Sequence, residues 1–391
     1  MNDYKLNFED TATAFSDKSN ADLQKKYQMF RLINSPVLTG IGTKMTALAF
    51  RFKLPVRGIV KQTIFSQFCG GETIEECQAT VDKLGKARIG TILDYSIEGK
   101  SEESVFESTK NEIYRTVMRA REDENVPFAV FKVTGLADFG LLEKVSAGRE
   151  LLKSEAADWE NAKRRVEEIC AYAHSLEQPV FIDAEETWIQ DAIDNLAREM
   201  MEKYNREKPI IYNTIQLYRT DRLEFLKKSH EKAKAEGYFL AVKLVRGAYM
   251  EKERARAEEM GYPSPIQPDR AATNRDYNQA LEFCVENIDR IAFVAGTHNE
   301  ESIQYLARLM SEKNIAPNHG HVNYSQLYGM SDNLSYVLAK NDFNVSKYVP
   351  YGPVPDTIPY LIRRAQENTS VAGQMSRELD LISRELKRRG K

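Results

Sequence analysis

Beyond Lys86, short apolar runs rich in Val, Ile, Phe and Tyr alternate with long amphipathic stretches. This alternation is typical of a parallel sheet whose strands are connected by helices. We predict eight strands, at residues 89–96, 128–134, 180–185, 210–216, 240–246, 291–296, 321–326 and 345–349. The segment 137–178 is long for one crossover and is expected to hold two or three helices.

Eight strand–helix units over about 300 residues fit the usual size of a (β/α)8 barrel. A doubly wound sheet is the alternative, but no GxGxxG sequence follows any predicted strand, which disfavours that fold. We therefore predict an α/β protein with a (β/α)8 TIM-type barrel over residues 86–391 and an N-terminal helical extension over residues 1–85.

Near the C-terminus, residues 348–368 are predicted to form a strand that continues into a helix. Several prolines break the chain, and Pro359 suits a first helical turn, so the helix is expected to begin near Ile358. Its spacing of three or four residues brings a ring, two guanidiniums and a carboxylate onto one surface, namely Tyr360, Arg363, Arg364 and Glu367. Paired guanidiniums suit a small carboxylate ligand. The alternative is a solvated helix face with Arg–Glu pairs.

In such a barrel the chemistry lies at the carboxyl ends of the strands. The predicted strand ends are unusually polar, with Lys132, Asp183, Gln216, Lys243, Arg246, Thr297, His298 and Tyr348. Each one alone is more simply a satisfied core polar group or a rim charge, but their collection at strand ends favours a site. Gly247 and Ala248 would let backbone N–H groups approach a phosphate closely.

The sequence gives the least support to a metal-binding site. His319 and His321 form an HxH pair, but they stand at the start of the seventh predicted strand, which is the stability face of a barrel. No Asp or Cys lies near enough in sequence to complete a ligand set. We predict no metal.

Composition narrows the class of protein. The chain has 391 residues, 42% hydrophobic, with 55 basic and 58 acidic side chains and a net charge of −3, which predicts a soluble globular protein without a nucleic-acid partner. Four cysteines without CxxC spacing are expected to be buried thiols in a reducing compartment. Because no secretory signal or membrane-spanning run is present, we expect a cytoplasmic protein.

One segment departs from this ordinary composition. From Leu23 to Gly71 there is no acidic residue, and apolar residues interleave with Lys25, Lys26, Arg31, Lys44, Arg51, Lys53, Arg57 and Lys61. Residues 23–61 could therefore contact an anionic membrane surface, with the protein peripheral on the inner face of the membrane. The alternative is a set of packing helices whose lysines point outward.

Seven segments resemble, in family order, motifs of proline dehydrogenases, the flavin-dependent enzymes of proline catabolism. They are VKQTIFSQFCGGET (60–73), FKVTGL (131–136), FIDAEET (181–187), VKLVRGAYMEKERARA (242–257), GTHN (296–299), QLYGMSD (326–332) and YVPYGPVPDTIPYLIRRAQEN (348–368). The resemblance covers most of the chain, and it implies an FAD-binding barrel whose final helix lies over the flavin. It also implies oxidation of L-proline to Δ1-pyrroline-5-carboxylate, by hydride transfer from proline C5 to flavin N5, and reoxidation by a membrane quinone.

The resemblance also assigns roles to residues. It implies that the proline carboxylate is bound by Lys132, Arg363 and Arg364, and that the ring is walled by Tyr249, Leu327, Tyr348 and Tyr360. Glu367 would orient the arginines, and Asp183 would hold the charge balance beside Lys132. Contacts to FAD would come from Ala184, Gln216, Lys243, Arg246, Gly247, Ala248, Thr297 and His298, with Arg270 and Thr273 as weaker candidates for its phosphates.

One departure from the family pattern qualifies these assignments, and two further expectations follow. Lys243 stands where some family members carry arginine, so it keeps the positive charge but loses a planar fork. Asp183, Lys132, Lys243 and Tyr348 would form the catalytic centre. Because the chain ends at Lys391, a separate pyrroline-5-carboxylate dehydrogenase is expected to take the product.

Three other functions remain open at this point. One is a relative that oxidises hydroxyproline. Another is a cofactor-free barrel enzyme that uses Lys132 or Lys243 as a Schiff-base nucleophile. The last is a non-catalytic carboxylate sensor built on the arginine pair.

Overall fold

The computed structural model describes residues 6–33, 57–96, 102–370 and 374–391. Eight parallel strands close into a barrel in chain order. They are β1 (Gly90–Tyr95), β2 (Phe128–Lys132), β3 (Val180–Asp183), β4 (Ile211–Gln216), β5 (Leu240–Val245), β6 (Ile291–Gly296), β7 (Val322–Leu327) and β8 (Val345–Tyr351). The barrel closes where β8 pairs with β1, from Gly90 opposite Ser346 to Tyr95 opposite Tyr351. The predicted (β/α)8 barrel is confirmed, and every predicted strand end lies within two residues of the observed one.

Helices follow each strand. They are Glu103–Glu122, Phe139–Ser146, Lys153–Ser175, Thr187–Tyr204, Arg222–Glu236, Met250–Met260, Arg270–Glu286, Glu300–Glu312, Asp332–Lys340 and Val354–Ser370, followed by the terminal helix Gln374–Arg388. Before β1 the helices are Thr11–Ala14, Asn20–Ile33, Arg57–Val60, Ser66–Phe68 and Ile74–Gly85, with a π-helical turn at Lys61–Phe65. The long segment between β2 and β3 holds two helices, as predicted.

Helix Glu300–Glu312 illustrates how the sequence specifies these elements. The Asn299 side chain caps its N-terminus by accepting the Ser302 backbone N–H at 2.8 Å. Apolar residues at helical spacing form its buried face against the barrel, namely Ile303, Leu306, Ala307 and Met310.

The helix after β8 begins four residues earlier than predicted, at Val354 rather than near Ile358. Pro355 fits the first turn, where an N–H would have no helical partner, so it does not stop the helix. The Pro353 carbonyl accepts the N–H groups of Asp356 and Thr357 at 2.9 and 3.1 Å, which starts the first turn. Pro359 therefore lies inside the helix rather than in its first turn.

The barrel interior and the barrel mouth have separate apolar clusters. Alternate strand residues fill the interior, with Phe128 stacked on Phe181 at 4.6 Å between ring centroids and Tyr348 in the same cluster. A second cluster packs the described N-terminal helices against the last two helices, through Leu23, Phe30, Phe65, Phe68, Val354, Ile358, Leu361, Leu381 and Ile382. Leu327 contacts both clusters, so it joins the barrel interior to helix Val354–Ser370. The division of the chain at residue 85 stays a prediction.

Two further expectations concern single residues and membranes. All four cysteines are buried free thiols, as predicted. No helix in the described ranges is long and apolar enough to cross a membrane.

Candidate active site

Asp183, the last residue of β3, is the centre of a charged network at the barrel mouth. Its carboxylate forms an ion pair with Lys243 of β5 and accepts the Tyr348 hydroxyl of β8 at 2.7 Å. Lys132 Nζ, at the end of β2, lies 3.8 Å from the same carboxylate. Burial acts to raise the pKa of Asp183, but the two lysines outweigh it and the net shift is downward. Asp183 is therefore ionised and holds three groups from three other strands.

Lys132 is held more closely by Asp94, which the sequence analysis did not single out. Its Nζ lies 3.0 and 3.1 Å from the two Asp94 carboxylate oxygens at the end of β1. The Ser96 hydroxyl donates to the same carboxylate at 2.5 Å. Asp94 stands at the carboxyl end of the first predicted strand, so the strand-end argument applied there would have found it.

The network is electrically balanced. Two carboxylates, Asp94 and Asp183, face two ammonium groups, Lys132 and Lys243. Burial, followed by the two nearby carboxylates, raises the pKa of Tyr348 well above its usual range, so the phenol stays neutral. Any further anion at this mouth therefore needs positive charge from another element.

Glu185 is a second buried acid that was not selected from the sequence, although it lies in the FIDAEET segment. Its carboxylate accepts the Thr134 backbone N–H at 3.1 Å and the Thr134 hydroxyl at 2.5 Å. Burial raises the pKa of Glu185 to about 7. The contact ties the turn after β2 to the end of β3, and so fixes the backbone beside Lys132.

Gln216 at the end of β4 offers an unsatisfied acceptor. Its amide nitrogen donates to the Glu185 carbonyl at 2.6 Å and to the Tyr218 hydroxyl at 2.9 Å. Its amide oxygen is buried and has no hydrogen-bond partner among the residues that the structure describes. Buried polar atoms are rarely left unpaired, so this oxygen suits a ligand N–H.

Arg246 and its neighbours form the rim beyond β5. The Arg246 guanidinium donates to the Ser302 hydroxyl at 3.0 Å and lies over the Tyr277 ring, 5.2 Å from its centroid. Burial lowers the pKa of Arg246 to about 10, and nearby Arg270 contributes to the shift. Gly247 is exposed, Ala248 and Tyr249 are half-buried, and Ala184 after β3 is also half-buried. Thr273 is buried, and its hydroxyl donates to the Asp269 carbonyl at 3.2 Å.

The ends of β6 and β7 complete the mouth. The Thr297 carbonyl accepts the Gln326 amide at 3.2 Å. His298 Nε2 lies 3.3 Å from the Leu327 backbone nitrogen, and Nδ1 lies 2.8 Å from the Ser331 hydroxyl. Burial, followed by Lys347, Arg364 and Arg246, lowers the pKa of His298 to about 3.

The helix Val354–Ser370 carries the predicted arginine pair and Tyr360. Arg363 and Arg364 are half-buried, and the Arg364 guanidinium lies 5.3 Å from the centroid of the buried Tyr360 ring. Leu327, the last residue of β7, packs against the cluster that contains Ile358 and Leu361, so this helix lies beside the mouth. The side chain of Glu367 lies outside the described residues, so its predicted role stays a prediction.

The histidine pair has structural contacts. His321 Nδ1 lies 2.7 Å from the Ile288 carbonyl oxygen, and His319 Nδ1 accepts the His321 backbone N–H at 3.2 Å. In the portion of the chain that the structure covers, no group of three or more His, Cys, Asp or Glu side chains is arranged to hold a metal ion.

Comparison with known proteins identifies the family. The family model of proline dehydrogenase matches residues 77–377. Proline dehydrogenase 1, mitochondrial, of Dictyostelium discoideum is 32% identical over 437 residues, which cover 100% of this chain and 76% of that protein. The chain belongs to the proline dehydrogenase family. It is therefore an oxidoreductase of proline metabolism.

Two further relatives have names other than proline dehydrogenase. Hydroxyproline dehydrogenase of Xenopus laevis is 33% identical over 422 residues, covering 97% of this chain and 90% of that protein. The carbapenem antibiotics biosynthesis protein CarD of Pectobacterium carotovorum is 34% identical over 333 residues, covering 85% and 86%.

A solved structure supports the fold. Proline utilization A of Bdellovibrio bacteriovorus, inactivated by N-propargylglycine, superimposes with a TM-score of 0.73 at 20% sequence identity. The match covers 93% of this chain but only 38% of that longer protein.

Proposed function

We propose that this protein oxidises L-proline to Δ1-pyrroline-5-carboxylate with a bound FAD. The observation that carries the proposal is the balanced network of Asp94, Lys132, Asp183, Lys243 and Tyr348, which lies at the barrel mouth near a helix with two arginines. Such a site suits a small zwitterion, because it combines fixed ammonium donors with further positive charge.

The arginine pair supplies what the network lacks. Lys132 and Lys243 are each matched by a carboxylate, so they add orientation rather than net charge for an incoming carboxylate. Arg363 and Arg364 add two guanidiniums, whose planar forks match the two carboxylate oxygens. In this proposal Lys132 donates to the substrate from the opposite side.

The residues present fit FAD. The orphaned Gln216 oxygen would accept a ring N–H, and the positive charges of Lys243 and Arg246 would lie beside the ring and its chain. Further contacts are assigned to Ala184, Gly247, Ala248, Thr297 and His298, with Arg270 and Thr273 toward the phosphates. When bound, FAD supplies at N5 the acceptor for the hydride that leaves proline C5.

The protein's own residues orient the substrate and exclude water. Leu327, Tyr348 and Tyr360 belong to the apolar clusters that meet at the mouth, and Tyr249 begins the helix beside it. These rings would hold the pyrrolidine ring in one position, which lowers the entropic cost of reaching the transition state. Asp183 would keep Lys243 and Tyr348 in place throughout.

Two partners complete the proposal. A membrane quinone would accept the electrons, with residues 23–61 as the contact to the membrane surface. A separate pyrroline-5-carboxylate dehydrogenase would take the product. Both rest on the family resemblance, and the membrane contact also rests on the basic, acid-free composition of the segment.

Oxidation of hydroxyproline is a second candidate, favoured by the match to the hydroxyproline dehydrogenase of Xenopus laevis. Tyr348 argues for proline, because a bulky ring at the C4 side of the substrate would collide with an added hydroxyl.

The absorption spectrum of the purified protein tests the main proposal. We expect a yellow protein whose visible absorption is bleached by anaerobic L-proline. A colourless protein that borohydride links covalently to a carbonyl substrate would instead indicate Schiff-base chemistry. A protein that binds proline without any bleaching would be a sensor, and either result would overturn the proposal.

The first prediction concerns the arginine pair. If each guanidinium makes a charge-assisted contact worth about 1.5–3 kcal/mol, Arg363→Met or Arg364→Met lowers kcat/KM for proline roughly tenfold to a hundredfold or more. The flavin spectrum should remain. Steady-state kinetics check this, with Arg384→Met as the control, since the Arg384 guanidinium forms ion pairs with the exposed residues Glu9 and Asp380. Wild-type proline kinetics in both arginine variants would remove this helix from the active site.

A further inference from the structure

The turn after β7, residues 328–331, is held by side chains from four separate elements. The Gly329 carbonyl accepts the Gln67 amide at 2.7 Å, and the Ser331 hydroxyl lies 2.8 Å from His298 Nδ1. The Met330 carbonyl accepts the Lys347 ammonium, and the Ser331 backbone N–H donates to the Glu378 carboxylate. These four polar contacts indicate that the conformation of the turn depends on side chains from several parts of the barrel mouth.

Ser331 adopts a conformation that non-glycine residues rarely adopt. Its φ is 51° and its ψ is 46°, in the left-handed region. Such outliers persist only where the surroundings enforce them, and they concentrate at functional sites. Here the Ser331 backbone N–H donates to the Glu378 carboxylate, and its carbonyl accepts the N–H groups of Leu334 and Ser335.

The Ser331 side chain also makes an unusual contact for a serine at its position. Ser331 stands at the N-cap of helix Asp332–Lys340, where a serine hydroxyl normally accepts a helical N–H. It makes no such cap contact. Its hydroxyl contacts the His298 ring instead. The Ser331 hydroxyl therefore forms a contact at the active site rather than a stabilising cap at the helix end.

The hydrogen-bond pattern determines the tautomer of His298. A backbone N–H can only donate, so the contact from Leu327 makes Nε2 the acceptor. In the neutral ring the proton is then on Nδ1, where it is donated to the Ser331 hydroxyl. Both ring nitrogens are engaged, and the low pKa of the buried ring keeps it neutral.

We propose that Ser331 and Glu378 are positioning residues for His298. Glu378, buried on the terminal helix, holds Ser331 in its left-handed conformation, and Ser331 fixes the imidazole in the Nδ1–H tautomer at the carboxyl end of β6. The terminal helix thereby acts on the barrel mouth. The role of His298 beside FAD rests on the proposed function, whereas its tautomer and orientation do not.

Nitrogen NMR of protein with ¹⁵N-labelled histidine tests the positioning. The chain has five histidines, and His298→Gln assigns the signal of interest. We expect a neutral, slowly exchanging Nδ1–H in the wild type. Ser331→Gly relieves the backbone conformation but removes the hydroxyl, so the melting temperature should hold or rise while the slow exchange is lost.

Glu378 is tested by a matched pair. Glu378→Gln keeps an oxygen that accepts the Ser331 N–H and should keep the His298 signal, whereas Glu378→Leu should shift it. Glu385→Gln is the control on the same helix, because Glu385 is buried and pairs with Arg388 and Arg389 away from the turn. It should lower the melting temperature without moving the signal. An unchanged His298 signal in Ser331→Gly would overturn the proposal, even if Glu378→Leu failed to fold.

A kinetic readout separates this inference from the proposed function. With FAD bound, Ser331→Gly should lower kcat for proline about tenfold or more, with little change in KM, because misplacement on the cofactor side affects the chemical step. A lost signal with unchanged kcat would overturn the catalytic part of the inference. If proline never bleached the wild type, the proposed function would fail while the NMR result would still decide the positioning.

Discussion

At the scale of single residues, Tyr348 contributes both a hydroxyl and a ring to the barrel mouth. The hydroxyl donates to Asp183 at 2.7 Å and lies 3.4 Å from Lys132 Nζ. The ring centroid lies 4.9 Å from Lys243 Nζ, a cation–π distance. Replacement by serine therefore removes the bulk of the ring and disturbs the charge network, whereas replacement by phenylalanine removes only the hydroxyl.

This distinction sharpens a prediction about substrate choice. Tyr348→Ser should lower kcat/KM for L-proline and raise the relative rate on trans-4-hydroxy-L-proline. The shift should be modest, because discrimination of one small group by shape is worth about 1–3 kcal/mol. Tyr348→Phe should lower proline oxidation without changing the preference. Measuring both substrates on all three proteins tests this, and an unchanged ratio in Tyr348→Ser would show that the ring does not line the C4 side.

Sequence reasoning found many residues at the mouth but not their pairing. The strand-end argument selected Lys132, Asp183 and Lys243, which the structure joins in one network. It could not give the closer partner of Lys132, which is Asp94, because a lysine's choice between carboxylates depends on side-chain directions around the closed barrel. Ser331 and Glu378 could not be selected from the sequence for the same reason, because their contact joins residues that are far apart in the chain.

At the scale of elements, the alternation of β-rich runs and amphipathic helices determined the strands well. Errors occurred where a local rule allows two outcomes. Proline fits both the first turn of a helix and, at a cost, its interior, so the start of helix Val354–Ser370 was placed too late. The strand β2 ends at Lys132 because the chain turns into a short 3₁₀ helix at Val133–Gly135. Such terminal turns have no signature in apolar periodicity.

Helix Met250–Met260 is anchored to the start of helix Thr187–Tyr204 by a buried acid, Glu253. Glu253 is fully buried and accepts both the backbone N–H and the hydroxyl of Thr187, at 2.8 and 2.6 Å. Arg256 lies over the Trp188 ring, 4.3 Å from its centroid, and strengthens the same interface. Tyr249, assigned to the substrate wall, is the N-cap of this helix. The contact to Thr187 therefore helps to position Tyr249.

Glu253→Ala should affect both stability and substrate binding. It leaves two partly buried Thr187 donors without their acceptor, which costs about 1 kcal/mol or more of unfolding free energy. Because Tyr249 shifts with the helix, KM for proline should rise. Urea unfolding and steady-state kinetics measure the two effects, with the exposed Glu251→Ala as control on the same helix. Loss of stability with an unchanged KM would limit Glu253 to a structural role.

At the scale of the whole molecule, three cations in the described part of the basic segment 23–61 form ion pairs within the protein. Lys26 points inward, where its ammonium lies 2.8 Å from the Asp332 carboxylate. Arg57 and Lys61 both pair with Glu72, at 2.7 Å each. Lys25 and Arg31 are exposed. Residues 34–56, which contain Lys44, Arg51 and Lys53, lie outside the described residues, so the prediction for that stretch is untested.

The proposed membrane contact therefore depends on a subset of the charges. Replacing Lys44, Arg51 and Lys53 with glutamine should weaken co-sedimentation with anionic vesicles, and the binding of the wild type should fall as salt rises. Lys61→Gln is the control, because that lysine is already paired within the protein. If vesicle binding changed neither with salt nor with these substitutions, only the packing interpretation of the segment would remain.

A buried cluster of charges links the N-terminal helix to the barrel. Asp332 accepts the ammonium of Lys26 at 2.8 Å and lies 3.2 Å from that of Lys347 in β8. Lys347 is fully buried. Burial acts to raise the pKa of Asp332, but the lysines outweigh it and lower the pKa far below its usual range. The cluster thus joins helix Asn20–Ile33, β8 and the turn that carries Ser331.

The last prediction follows from that lowered pKa. A carboxylate whose pKa is lower in the folded than in the unfolded state stabilises the fold above its unfolded pKa, about 3.9 for aspartate. The stabilisation is lost as the pH falls below that value. Asp332→Asn should cost about 3–5 kcal/mol at pH 7, because it leaves Lys347 buried without its carboxylate. It should also show a shallower loss of stability as the pH falls from about 4 to about 2.

Urea unfolding across this pH range measures both effects. Asp342→Asn is the control, since Asp342 pairs with Arg88 in an ion pair exposed on both sides and should change stability by less than about 1 kcal/mol. If the curves of wild type and Asp332→Asn ran parallel with pH, the ionised carboxylate would not be what joins the N-terminal helix to β8. A steeper dependence in the wild type alone would assign that link to Asp332, because no other acid differs between the two proteins.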